Sequence, residues 1–407
     1  MATDPLSVVA LIATVVLARR ARRVWPTMPV AITEFGCGVV LGPSLLGLIR
    51  LDHGVRLLSA LGMAYLLWTS GMQLESGTRR RGQLKAGAFC TALSALIATL
   101  AALLLVGVGE LQATGVVVVS LMSTLLMPAA SVLAGLGPES TDVGELTLFV
   151  ASLGDLGAVA LVSTGLATSA SVGVLGLAMS CLLALTVGGL GARILYQRRR
   201  PGRPERRWQV SAPAALGAVV LVLALPAAFG VFVGIQAVAA AFFAGVLLSS
   251  IAAPSRDQLE LRRRIDSVGL GALAPMAFVA AGTRVEVHAL MFSAHAAFLV
   301  PVLLVAMLVC RAGPAMLLFG RRLGRRRALA SGLLLSNKLT LVVIVVVGGR
   351  ASGALGAASG SALLVAGALS VAIFPVAARR LLADPSPARA RPALALRAAV
   401  AGAVSRP

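Results

Sequence analysis

Long apolar stretches follow one another along almost the whole sequence, and they restrict the possible fold more than any other feature. A transmembrane helix needs about 20 apolar residues, and about thirteen such stretches occur between residues 6 and 378. A soluble chain of 407 residues with 58% hydrophobic and 13% charged residues could not cover its apolar surface. The sequence therefore predicts an all-α polytopic membrane protein. The predicted spans are residues 6–18, 28–48, 57–74, 86–108, 113–135, 145–167, 172–192, 210–231, 236–253, 268–283, 289–319, 328–347 and 360–378.

The basic residues predict the orientation of these spans. With the N-terminus outside, thirty Lys and Arg residues fall in inside segments and only four fall in outside segments. Cytoplasmic loops of membrane proteins carry such an excess of basic residues. We therefore expect the N-terminus outside and the C-terminus inside. The same distribution explains the net charge of +21 without a nucleic-acid partner.

Two regions are predicted. Residues 1–380 form one transmembrane domain, and residues 381–407 form a cytoplasmic tail that is rich in Ala, Arg and Pro and is expected to be disordered. The first apolar run has arginines after it and no basic segment before it. This pattern is typical of a first membrane helix rather than of a cleaved signal peptide.

Away from the span edges, four charged residues remain inside the predicted spans, namely Glu34, Asp155, Arg311 and Lys338. A charge at bilayer depth costs about 2.5–3.5 kcal/mol on insertion scales, so each needs a partner or a function. Asp155 and Lys338 lie near the midpoints of their spans. One interpretation is that the four residues form ion pairs that only fix helix positions. The other is that they line an ion or substrate path.

A proline and a weak repeat favour the second interpretation. Pro128 lies inside an apolar span, where a freed backbone is tolerated if it lines a cavity. The pattern Gly-x-x-apolar-Glu occurs at 71–75 and again at 282–286, an offset of 211 residues. The same offset moves Pro128 to the neighbour of Lys338. The predicted orientation makes the two copies inverted, as in many secondary transporters.

Several motifs resemble those of the monovalent cation:proton antiporter superfamily, in particular its sodium/hydrogen exchanger-like, bacterial cation:proton antiporter-2 branch. Residues 34–47 read EFGCGVVLGPSLLG and resemble the early signature of that family, and residues 61–62 and 70–75 resemble its next element. Residues 152–157, SLGDLG, stand where the family has its ion-binding acidic motif. Residues 241–245 and 274–282 resemble two later elements, so the resemblance extends over about residues 6–380.

The resemblance implies a fold of about thirteen helices with inverted repeats and two crossed, interrupted helices. It also implies a homodimer in the bacterial cytoplasmic (inner) membrane that works by elevator-like alternating access. Asp155 would bind the proton and the cation, with Ser131 and Gly154 at the same site, and Arg311 and Lys338 would be its basic partners. The helix breaks would include Pro128, Ala129, Ser336, Asn337 and Thr340, and Glu34 would be the signature acid.

The sequence departs from the family pattern at the ion site. Gly154 stands where relatives have Asp or Asn, Gln73 where many have an acid, and Thr340 where a glutamate is frequent. Ser131 replaces a Thr or Asp in the first break. Because a hard cation prefers several oxygen ligands, the predicted ion-binding motif is degenerate.

The resemblance favours exchange of a monovalent cation, Na⁺ or K⁺, for protons, with no cofactor, no metal and no catalytic residue. Two alternatives remain open. The same fold could couple protons to the export of an organic anion or a hydrophobic metabolite. The chain could instead be a membrane-embedded enzyme or a scaffold that transports nothing, although the spans contain no Ser/His/Asp set, metal cluster or phosphate loop.

Overall fold

A computed structural model describes residues 5–21, 29–73, 81–107, 113–134, 141–163, 240–246 and 265–382, together with residues 249 and 263. Within these ranges the chain forms helices, turns and short connections, and no strand. The predicted spans 172–192 and 210–231 and the tail beyond residue 382 lie outside the described residues.

Among the described residues, the helices with defined bounds are labelled α1 to α13 in chain order. They are α1 Pro5–Ala21, α2 Val30–Leu41, α3 His53–Gln73, α4 Arg81–Gly107, α5 Thr114–Met122, α6 Leu126–Ala134, α7 Thr141–Ser163, α8 Ala274–Gly282, α9 Val287–Met291, α10 Ala294–Leu323, α11 Arg325–Leu335, α12 Thr340–Ala351 and α13 Ala357–Leu382. A π-helical turn, Gly269–Leu273, leads directly into α8. The helical segment 240–246 is left unnumbered.

Six stretches among the described residues are long and apolar enough to cross a bilayer. They differ in how deeply they are buried. In the stretch Arg325–Ala351, 94% of the most apolar 18 residues are buried, compared with 33% in Lys85–Gly107. The first stretch therefore lies in the interior of the helix assembly, and the second has its apolar side chains on the surface, where lipid is their natural neighbour. The chain is a multi-pass membrane protein.

Two of the membrane helices are interrupted. The first interruption comprises residues 123–125, between α5 and α6, and the second comprises residues 336–339, between α11 and α12. They contact each other, because the Leu125 backbone N–H donates a hydrogen bond to the Asn337 carbonyl at 2.9 Å. Backbone groups that lose their helical partners thus find each other in the protein interior, as a membrane environment requires.

The first interruption differs from the prediction, which placed it at Pro128 and Ala129. Both residues lie in the first turn of α6, which begins at Leu126. The first N–H groups of a helix have no intrahelical partner, so a proline there breaks nothing. Pro128 therefore follows the break and does not create it.

Glycines bring α3 very close to the segment 240–246. A Cβ on Gly71 would overlap the carbonyl oxygen of Phe242, and a Cβ on Gly245 would overlap the carbonyl oxygen of Trp68. Each glycine therefore packs directly against the backbone of the other helix, as small residues do in membrane helix pairs.

The contact between α2 and α8 has the same form. A Cβ on Gly282 would overlap the carbonyl oxygen of Phe35, and one on Gly38 would overlap that of Val279. In the numbering, Gly282 follows Gly71 by 211 residues, and Gly245 follows Gly38 by 207. The contact of Gly71 with Phe242 therefore matches that of Gly282 with Phe35, and the contact of Gly245 with Trp68 matches that of Gly38 with Val279.

Candidate functional site

Asp155 lies on α7 and is almost completely buried, with 2% of its surface exposed. Its Oδ2 atom accepts a hydrogen bond from the Ser70 hydroxyl at 2.6 Å. Its Oδ1 atom accepts one from the Thr124 backbone N–H at 2.7 Å. Donors to an ionised carboxylate form charge-assisted, stronger hydrogen bonds. The carboxylate thus joins α3, α7 and the first interruption.

Thr124 can bind the carboxylate because it lies inside the interruption. Its N–H precedes α6 and is therefore not used within a helix, and the N-terminal end of a helix favours negative charge. The Thr124 hydroxyl donates to the Leu335 carbonyl at 3.1 Å. Residue 124 therefore connects Asp155 to the end of α11.

Lys338 is fully buried in the second interruption. Its Nζ atom donates a hydrogen bond to the carbonyl of Ser123, the residue that caps the C-terminal end of α5. A cation is favourable at that end of a helix. The first interruption therefore has a base at the end of α5 and an acid at the start of α6.

Arg311, on α10, is also fully buried. Its NH2 atom lies 3.4 Å from the Thr124 hydroxyl oxygen, at the long end of the hydrogen-bond range. Its Nε and NH1 atoms have no hydrogen-bond partner within the described part of the chain. Among the described residues, neither Arg311 nor Lys338 forms an ion pair with Asp155. The site therefore contains one acid and two bases that do not touch it.

The second interruption provides further buried oxygen atoms. The Asn337 Nδ2 atom donates to the Leu334 carbonyl at 2.5 Å, whereas its Oδ1 atom has no partner within the described ranges. The Thr340 hydroxyl oxygen also lacks one there. The Ser336 hydroxyl donates to the Gly332 carbonyl at 2.7 Å. Oxygens of Asn337 and Thr340 are thus available as ligands.

The structure gathers some predicted residues around Asp155 and not others. Gly154 and Arg311 contact each other beside it, because a Cβ on Gly154 would overlap the guanidinium group. Ser131 does not belong to this group. It is exposed on α6, and its hydroxyl donates to the Pro128 carbonyl at 2.9 Å. Glu34 is buried on α2, the helix that packs against α8.

Sequence reasoning missed the two residues that hold the carboxylate, Ser70 and Thr124. Ser70 directly precedes Gly71, the first residue of the repeated pattern, so its position was available as a signal. Thr124 carried no signal, because it binds Asp155 through its backbone N–H. A backbone donor is identified only by the location of the interruption.

Arg56, Arg284 and Arg350, three of the four basic residues in the segments predicted to lie outside, are close to one another. Arg350 donates to the Arg284 carbonyl at 2.8 Å and forms an ion pair with Glu286 at 3.3 Å. Burial, Arg56 and Arg350 lower the pKa of Arg284 to about 10. Because Arg350 donates to backbone carbonyls, this group connects the start of α9 to α12 and α13.

A buried carboxylate at the junction of two interrupted membrane helices, with buried bases beside it, is typical of an ion-coupled membrane transporter. The family model described as "Sodium/hydrogen exchanger, transmembrane" matches residues 7–383. The chain belongs to this family. It is also 25% identical over 376 residues to a Bacillus subtilis (strain 168) protein named "Putative Na(+)/H(+) antiporter YjbQ". The match covers 87% of this chain and 59% of that protein, so the chain spans about three fifths of the relative's length.

Proposed function

We propose that the chain exchanges a monovalent cation, Na⁺ or K⁺, for protons across the bacterial cytoplasmic membrane, with Asp155 binding each in turn. The observation that carries this proposal is how Asp155 is held. It is buried, and its two partners among the described residues are a hydroxyl and a backbone N–H. A cation can replace a hydroxyl donor and use its oxygen as a ligand, whereas a fixed ion pair would leave no place for it. The same site and the family support a transporter rather than an enzyme.

In the proposed exchange, the site changes the side of the membrane that it faces while Asp155 is either protonated or bound to a cation. The two states carry the same net charge, so exchange of one cation for one proton is electroneutral. Oxygen atoms of Asp155, Ser70 and Asn337 supply ligands of the kind that hard cations prefer. Arg311 compensates the charge of the carboxylate while neither ion is bound.

We further propose that the two interrupted helices cross and belong to inverted repeats in a fold of about thirteen helices. Thr124 and Leu335, which share a hydrogen bond, are separated by 211 residues, the offset of the repeated pattern. Residues related by a repeat come together near the axis that relates the two copies. The matching glycine contacts of α3 and α8 support the same relation. The homodimer and the N-outside orientation complete this proposal.

Proton flux in inside-out vesicles from an antiporter-deficient bacterium tests the function. A fluorescent weak base reports an acidic interior while Na⁺, K⁺ or Li⁺ is added. We expect one cation to restore fluorescence in the wild type and in Asp52→Asn, and not in Asp155→Asn. Asp52 caps the start of α3 by accepting from the Val55 N–H at 2.8 Å, and asparagine caps equally well. Lack of response to every cation by a folded, inserted wild type would contradict the proposal.

One observation favours a second candidate, proton-coupled export of an organic anion. Two buried bases, Arg311 and Lys338, lie near a single buried acid, and the Nε and NH1 atoms of Arg311 have no partner within the described residues. Such donors suit a carboxylate or another planar anion. The same vesicles distinguish the two functions, because an anion exporter would move protons on addition of organic anions and would not respond to cations.

A further inference from the structure

Gly154 precedes Asp155 and leaves an unusual space on α7. A Cβ built on Gly154 would clash sterically with the NH1, NH2 and Cζ atoms of Arg311. These three atoms form the planar end of the guanidinium group. The position that carries a side chain in the family pattern is therefore filled, in this chain, by the end of an arginine from α10.

Arg311 cannot easily move to a different place. It is fully buried, with 0% of its surface accessible to solvent. Its polar contact within the described residues is the long one to the Thr124 hydroxyl. The guanidinium is thus held in place mainly by shape, and the bare backbone of Gly154 forms one wall of its space.

We propose that Gly154 is a positioning residue of the exchange site, which seats the Arg311 guanidinium beside Asp155, so that positions 154 and 311 act as one unit. The inference rests on the proposed exchange at Asp155. It assigns the two bases different tasks. Lys338 holds the carbonyl end of α5 through Ser123, and Arg311 compensates the carboxylate.

This pairing gives a physical reason for the departure from the family pattern at position 154. A side chain at position 154 and a guanidinium at position 311 would compete for one volume. With glycine at 154, the guanidinium occupies the place of the missing ligand. The ion site therefore retains one carboxylate and gains a tethered positive charge next to it.

A cycle of variants measures the pairing through the melting temperature of the purified protein in detergent. Alanine is normally a better helix former than glycine, so Gly154→Ala should stabilise α7 if nothing opposed it. We expect it instead to lower the melting temperature by a few degrees. Arg311→Met ends before the three overlapping atoms, and in that background Gly154→Ala should leave the melting temperature unchanged or raise it. Gly320→Ala, on α10 with no atom within 4 Å of its added Cβ, is the control.

Equal shifts from Gly154→Ala in both backgrounds would overturn the pairing. If Gly154→Ala alone yields no folded protein, recovery of folded protein by the double variant supports the pairing, and failure to recover contradicts it. This cycle does not depend on transport, so it separates the inference from the proposed function.

Where the wild type exchanges ions, Gly154→Ala should shift the pH profile of exchange and Gly320→Ala should not. Asp155 faces Arg311 and Lys338 as charged neighbours, and an unchanged profile would refute the positioning role.

Discussion

The two helix interruptions contact each other, yet they are stabilised by different chemistry. In the first, the helix ends face charged side chains, with Asp155 at the Thr124 N–H and Lys338 at the Ser123 carbonyl. In the second, the backbone of residue 338 is held by a neutral hydroxyl. Ser370 accepts from the Lys338 N–H at 2.9 Å and contacts its carbonyl oxygen at 3.3 Å.

In the repeat that we propose, this difference would let two similar backbone breaks serve a single site. The backbone breaks supply unpaired N–H and carbonyl groups in both places. Among the described residues, a carboxylate satisfies such an N–H at the first break, and the second break contributes the lysine and the oxygens of Asn337 and Thr340 that have no partner there. In the proposed repeat, the backbone breaks are common to both copies, and the side chains proposed to bind the ion differ between them.

The largest effect on stability is expected from Lys338→Met, which keeps the unbranched stem of the side chain and removes its charged end. The Ser123 carbonyl would then lose its donor at the end of α5. A hydrogen bond to a charged group contributes about 1.5–3 kcal/mol, so the melting temperature should fall clearly. A melting temperature equal to or above that of the wild type would show that charge does not hold the first interruption.

A smaller effect is expected from Ser70→Ala, with Ser370→Ala as its matched partner. Interhelical hydrogen bonds in membranes contribute about 0.6 kcal/mol on average, so both variants should fold. Ser70 binds the carboxylate, whereas Ser370 binds only backbone. The apparent affinity for the cation should therefore change in Ser70→Ala and stay near wild type in Ser370→Ala. Equal changes in both variants would remove the proposed division between binding and support.

The smallest effect on stability is expected from Thr340→Val. The Thr340 hydroxyl is buried without a partner in the described part of the chain, and valine has nearly the same shape. Replacing an unpaired buried polar group with an apolar one should leave the melting temperature unchanged or raise it. Exchange rates then decide the role of the second interruption. A loss of exchange in this stable variant would make Thr340 a ligand, and unchanged exchange would limit the site to the first interruption and Asn337.

The sequence alone was sufficient to predict an all-helical, multi-pass membrane protein and to select three charged residues that the structure buries. Hydropathy and the cost of burying a charge are local properties, so Asp155, Arg311 and Lys338 could be selected before any contact was known. The second interruption was also predicted close to its place, since Ser336 and Asn337 lie within it and Thr340 begins α12.

Only the tertiary structure decided which groups meet at the carboxylate. Ser70 is 85 residues and Thr124 31 residues from Asp155, and no local pattern records such distances. Pro128 suggested the wrong place for the break, because a proline is tolerated in the first turn of a helix as well as at an interruption. Ser131 was selected because it lies near Pro128, and the structure places it on the exposed side of α6, away from Asp155. The space at Gly154 acquires its meaning from a guanidinium on another helix, and that relation exists only once the helices have packed.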